Sequence, residues 1–186
     1  VTAALAIAAD GDVVVGIDSC STWPGGMTVD NAEKGIAEFS FDGHPPLVVV
    51  CAGSSMIADE MANVWVPPVP ASAEPIAFLR ACSASLRAFF SEEPRWTMGK
   101  EEDGRSIAGH FAAGWRGVAV EISSDFGVLR PRSGEVAIGS GRDFVFGALA
   151  ATRGRPAEER VRVALEAAAE YQQDVAGPFA IRWAGR

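Results

Sequence analysis

The sequence predicts an α+β protein, a four-layer αββα sandwich with two antiparallel sheets between helix pairs. Three observations predict it. Short apolar runs recur in twos across turn residues, the mark of antiparallel hairpins. Two helical stretches separate one block of strands from the next, and two more precede the last strand. Such paired helices between strand blocks pack on the outer faces of two sheets. No internal repeat or low-complexity segment interrupts the pattern, so residues 1–186 are expected to form one domain.

The elements follow in order. Strands are expected at about 2–8 and 12–18, joined by a turn at Asp10-Gly11. Residues 21–34 hold Pro24-Gly25-Gly26 and read as a loop. Strands Gly35–Phe41 and Leu47–Ala52 flank Asp42-Gly43-His44-Pro45-Pro46. Helical spacing begins at Ser54–Val64, with Met56, Ile57, Met61 and Val64 on one side. After Pro67-Pro68-Val69-Pro70, a second helix at about 74–91 turns Ile76, Leu79, Leu86, Phe89 and Phe90 inward. Residues 92–104 are polar and loop-like. Strands are then expected at Ile107–Gly114 and Gly117–Ile122, across a turn at Trp115-Arg116, and at Gly127–Arg130 and Glu135–Ile138. Helices at about 143–152 and 156–172 follow. The second opens with Pro156, Glu158 and Glu159, as the helix dipole favours. A strand at about 178–184 closes the chain.

Composition narrows the function. A net charge of −8 and a pI of about 4.8 disfavour nucleic acid and anionic membrane surfaces as partners. The three cysteines, Cys20, Cys51 and Cys82, are odd in number and widely spaced. With only His44 and His110 as histidines, no metal-ligand spacing arises, and neither a metal nor a cofactor is expected. Cys51 reads as a small core residue and His44 as a loop residue. A reducing cytoplasm is the expected location. The apolar start lacks a preceding basic segment and is cut by Asp10, unlike a signal peptide.

The chemistry concentrates in the first 34 residues. Thr2 opens the first apolar run, Asp18 ends the second, and Lys34 lies further on. A threonine hydroxyl needs a base, and a free α-amino group with a reference pKa of about 7.7–8.0 suits that work. A nearby lysine cation would favour the neutral amine, and a carboxylate would hold the lysine. The same residues also suit a plain strand, since strands are rich in Thr and Asp often ends them.

From Thr2 to Lys34 the chain resembles the proteasome β-subunit family of N-terminal-nucleophile (Ntn) hydrolases. That family includes the peptidase subunit of the bacterial ATP-dependent two-component protease, against which the match needs no gap. The resemblance puts Thr2 on the catalytic threonine, Asp18 and Lys34 on its partners, and Asn31 on an asparagine just before the lysine. Thr22, in Ser19-Cys20-Ser21-Thr22, falls on the residue whose main chain pairs with substrate. Cys20 is placed to shape the pocket for a substrate side chain. Val48-Val-Val-Cys-Ala-Gly53 resembles the strand whose glycine N–H forms the oxyanion hole, a role for Gly53. Val136-Ala-Ile-Gly-Ser-Gly141 resembles the segment that sets a serine, here Ser140, on the terminal amine. The family's Asp and Ser after the last helix fall on Gln173 and Ala176, a departure from its pattern. Asp174 serves in place of Gln173 if one residue is deleted.

The resemblance implies the Ntn-hydrolase fold and a threonine-type endopeptidase working inside a ring of identical subunits. It also implies peptide or unfolded-protein substrates and an ATPase (unfoldase) partner. Val1 stands before Thr2 and has three readings: a GTG start codon read literally, a one-residue propeptide, or a retained residue in an inactive protein. The Arg-rich composition, with 14 Arg against two Lys, suits a GC-rich genome and the first of these. Two other functions stay open. One is a non-catalytic ring or scaffold protein. The other is an acyl-transfer enzyme acting on something other than unfolded protein.

Overall fold

The computed structural model describes residues 2–22, 28–30, 34–92 and 106–185. Its first hairpin joins β1 (Ala4–Ala9) to β2 (Asp12–Ile17). Asp10 and Gly11, at φ 52° and 86°, make the two-residue turn that matches strand twist. The expected loop at 21–34 differs. Cys20–Thr22 (β3) pairs with Thr28–Asp30 (β4) as two three-residue strands. Strands that short carry no readable alternation. Asn31 and the Pro24-Gly25-Gly26 segment lie outside the described residues.

β5 (Ile36–Phe41) and β6 (His44–Gly53) follow. β6 starts three residues earlier than expected, because Phe41 pairs directly with His44 around Asp42-Gly43. α1 (Ser55–Asn63) buries Ile57, Ala58 and Met61, whereas Met56 and Val64, expected inside, are exposed. α2 (Pro75–Glu92) turns Phe78, Leu79, Cys82, Leu86 and Phe90 inward, with Ile76 and Phe89 at the margin. Apart from Glu92, the expected loop at 92–104 lies outside the described residues.

β7 (Gly109–Trp115) and β8 (Val118–Ile122) turn at Arg116-Gly117, one residue later than expected. Trp115 stays in the strand, fully buried, and its Nε1 donates to the Pro45 carbonyl at 3.0 Å. β9 (Val128–Leu129), β10 (Glu135–Ile138), α3 (Arg142–Ala151), α4 (Ala157–Tyr171) and β11 (Ala180–Ala184) complete the chain.

The two large sheets run β10-β1-β2-β11 and β5-β6-β7-β8-β9, and every pairing is antiparallel. Successive strand residues point to opposite faces, so each apolar run feeds two layers. Ala4 and Ala6 face the gap between the sheets, as do Val13, Val15, Val48 and Val50. Leu5, Ile7 and Val14 face α3 and α4, meeting Val145, Leu149, Val161 and Leu165. Leu47, Val49 and Cys51 face α1 and α2, meeting Ile57, Met61, Leu79 and Leu86. The result is an α+β sandwich, with small residues such as Ala4, Ala6, Ala112 and Ala119 where the two sheets meet. Among the described residues, no helix is long and apolar enough to cross a membrane.

Candidate active site

The site lies where β1 begins and β2 ends. The β1–β2 register continues past Ile17, so Asp18 N–H donates to the Ala3 carbonyl at 3.1 Å. That brings the Asp18 carboxylate under the chain at Thr2-Ala3. Its Oδ1 accepts from Ala3 N–H at 2.9 Å, and its Oδ2 from Cys20 N–H at 3.0 Å. Lys34 reaches the same carboxylate, with Nζ at 3.1 Å from Oδ1 and 3.0 Å from Oδ2. Lys34 Nζ also donates to the Cys20 carbonyl. The pair is withdrawn from water: side-chain exposure is 11% for Lys34 and 0% for Asp18.

Burial pushes the Asp18 carboxyl above the usual carboxylate range. The Lys34 charge and the hydrogen bonds from Ala3, Lys34 and Cys20 pull the other way. Burial alone pushes the Cys51 thiol up to about 12. It does the same to Cys82. All three cysteines are free and buried.

Thr2 is itself buried, and its nitrogen donates to Ser140 Oγ at 3.4 Å. The Gly139-Ser140-Gly141 turn after β10 is shaped around Thr2. At Gly139, φ is 86°, and a Cβ would stand 2.2 Å from the Thr2 carbonyl oxygen. Gly141 N–H donates to that oxygen at 3.2 Å. Any side chain at 139 would therefore displace Thr2.

Gly53 closes β6. Cys51 N–H, two residues earlier, donates to the Gly35 carbonyl at 2.8 Å, which ties β6 to the chain beside Lys34. Gly53 has φ 143°, and a Cβ there would lie 2.2 Å from the Ala108 carbonyl oxygen. Only glycine fits this conformation and this approach.

Hydrogen bonds thus join Thr2-Ala3, Asp18, Lys34 and Ser140, and Gly53 ends β6 two residues beyond the bond from Cys51 to Gly35. Thr22 is in β3, paired with Thr28. Cys20 is buried, and its main chain, rather than its thiol, engages Asp18 and Lys34. Gln173 and Asp174 form a turn after α4, with Gln173 exposed and Asp174 half-buried. Sequence reasoning missed the two main-chain roles of Cys20 and the contact of Ser19 with Ala176, for which residue type gives no signal. The glycines flanking Ser140 were the legible part of the clamp on Thr2. Among the described residues, no group of three or more His, Cys, Asp or Glu is placed to hold a metal.

No family model and no curated protein matches the chain. Solved structures do match over nearly the full length of this chain. BPH of Thiobacillus denitrificans in complex with epoxomicin is 20% identical, with 98% of each chain covered and a TM-score of 0.78. Eukaryotic HslV from Trypanosoma brucei is 20% identical over 99% of each chain, with a TM-score of 0.68. Anbu from Pseudomonas aeruginosa, solved as a helical assembly, is 13% identical, with a TM-score of 0.69. That match covers 99% of this chain and 81% of that one. At such identities the likeness is one of fold. The fold class is the Ntn-hydrolase sandwich. Within it, the architecture is the one shared with these BPH, HslV and Anbu structures.

Proposed function

We propose that this protein is a proteasome-like threonine endopeptidase whose nucleophile is Thr2. The observation that carries the reading is the buried Asp18–Lys34 pair, held against the backbone at Thr2-Ala3 while Ser140 meets the Thr2 nitrogen. A buried ion pair is costly unless its geometry is fully satisfied. Here Asp18 accepts from two backbone amides and the lysine, and Lys34 gains a carbonyl as well. A structural pair could sit anywhere in the core. This one sits against the main chain of Thr2-Ala3.

With the Thr2 amine free, the steps balance simply. The amine takes the proton of Thr2 Oγ as the oxygen bonds to a peptide carbonyl carbon. The Gly53 N–H receives the developing oxyanion. The protonated amine passes its proton to the leaving nitrogen as the C–N bond breaks, which leaves an acyl ester on Thr2. Water, deprotonated by the same amine, releases the acid. Lys34 favours the neutral amine, Asp18 holds Lys34, and Ser140 orients the amine. Thr22 supplies main-chain pairing for an extended substrate, and Cys20 borders its side chain. Asp174 or Gln173 takes the place of the family's residue after the last helix.

Self-association belongs to this reading, supported by the Anbu neighbour solved as an assembly. Identical subunits joined head to tail close into a ring when the rotation permits, and otherwise continue as a helix. We favour the closed ring, with an ATPase feeding unfolded chains and the cytoplasm as the location. The test is peptide hydrolysis by protein that begins at Thr2. Hydrolysis is expected there, with epoxomicin binding as in the Thiobacillus neighbour, and Thr2→Ala should abolish hydrolysis without loss of assembly.

A non-catalytic ring or scaffold is the second reading. It is favoured by the exposed Gln173 and by Ala176, which offers only a main-chain carbonyl. An assembled protein that cleaves nothing in a broad peptide library, even when it begins at Thr2, establishes it.

A further inference from the structure

We propose that Ser19 is a positioning residue of this site, keeping Asp18 in register with Thr2 by fastening the turn between α4 and β11. The inference rests on the catalytic reading above.

Ser19 follows Asp18 directly and is one of few buried polar residues, at 3% exposure. A hydroxyl so placed needs a partner. Ser19 Oγ donates to the Ala176 carbonyl at 3.4 Å, and Ser19 N–H donates to the same oxygen at 3.1 Å. The two residues are 157 positions apart in the chain. Ala176 sits in the turn that leaves α4. Val175, its neighbour, is anchored in the core against the α3–α4 layer. Four residues on, Ala180 pairs with Ile17, the residue before Asp18.

The other side of the site is tied to the same unit. A Cβ on Gly141, next to Ser140, would come within 3.2 Å of the Ala168 side chain of α4. The last turns of α4 and the segment after it therefore straddle Thr2. One end packs beside Ser140, and the other is held beside Asp18 through Ser19. Ser19–Ala176 thus extends the β2–β11 pairing, in which Ala180 meets Ile17, up to the residue beside Asp18. It also gives position 176 a role that needs no side chain.

The test compares Ser19→Ala with the parent, both beginning at Thr2. kcat and KM are measured for a small peptide across pH, and amide hydrogen exchange is followed by mass spectrometry. Ser19→Ala removes the Oγ bond and leaves the Ser19 N–H bond to Ala176, so the turn is held less firmly and Asp18 shifts against Thr2. kcat should fall about tenfold with KM nearly unchanged, because the loss is one of alignment in the transition state. The pH at which kcat is half-maximal should move with it. Exchange should rise at residues 175–179 and 18–20 and stay at parent values through β7 and β8. Loss of activity with uniformly faster exchange would mean a general loss of stability and overturn the proposal. Unchanged kcat or unchanged exchange at 175–179 in an active parent overturns it while leaving the catalytic reading intact. An inactive parent sinks the catalytic reading and this inference together.

Discussion

Replacing Lys34 by Met removes the cation and keeps the length of the side chain. Asp18 then stays buried, with Ala3 N–H and Cys20 N–H as its remaining donors of those described above. Breaking a buried pair from one side costs about 3–5 kcal/mol. The two retained amides, both hydrogen-bonded to a charged group, place the expected cost near the lower end, about 3 kcal/mol at pH 7. For a chain of this size that corresponds to a fall in melting temperature of about 6–12 °C. The pH dependence has a definite sign. Burial already raises Asp18, and losing Lys34 removes the largest opposing influence, so the folded-state value rises further above the unfolded one. A carboxyl raised on folding binds more protons in the native state, so stability is lost as pH rises between the two values. The deficit of Lys34→Met should thus be small near pH 4, close to the unfolded value of about 3.9, and grow toward neutrality. Adding Asp18→Asn should recover part of it. The assay is thermal unfolding of parent, both single variants and the double variant at several pH values. A deficit below about 1 kcal/mol, or one equally large at pH 4 and pH 7, would refute the coupling of a buried, ionised Asp18 to Lys34.

Two other perturbations read the site's backbone and its thiols. Gly53→Ala places a Cβ 2.2 Å from the Ala108 oxygen at φ 143°. It should cost at least about 1–3 kcal/mol in unfolding free energy and lower peptide hydrolysis. A stable, fully active Gly53→Ala protein would remove Gly53 from the oxyanion role. Cys51 and Cys82, with thiols pushed up to about 12, should resist iodoacetamide at pH 8 until the protein is unfolded. Adducts on either residue in native protein, located by peptide mapping, would contradict their burial.

Much of the fold was legible because the signals are local. Asp10-Gly11 dictates its hairpin, and apolar runs such as Val13–Ile17 declare strands buried on both faces. The errors also have local causes. Trp115 looks like a turn neighbour but fills a core position, which moves the turn by one residue. Met56 and Val64 have core-type side chains yet lie outside the arc that α1 turns toward β6. β3 and β4 are too short to show a period. The meeting of Lys34 with Asp18 beneath Thr2-Ala3 was anticipated through family resemblance, since spacing alone does not bring position 34 to position 18. The parts that stayed hidden are main-chain roles. The Cys20 carbonyl on Lys34 and the Ala176 carbonyl under Ser19 could belong to any residue type, so no side chain announces them.

The central claim is that Thr2 acts through its own amine, and the terminus itself tests it. Two forms should be prepared, one retaining Val1 and one beginning at Thr2, and compared in assembly and in cleavage of small peptides. An amide nitrogen cannot accept a proton at neutral pH, whereas a terminal amine can. Loss of the general base alone costs about 10²–10⁴-fold in rate. The account predicts that both forms fold and assemble alike, that the Thr2-first form cleaves, and that the Val1 form is slower by at least that factor. Intact mass must confirm that Val1 is still present at the end of the assay. Equal rates from the two forms, with Val1 retained, would contradict the mechanism.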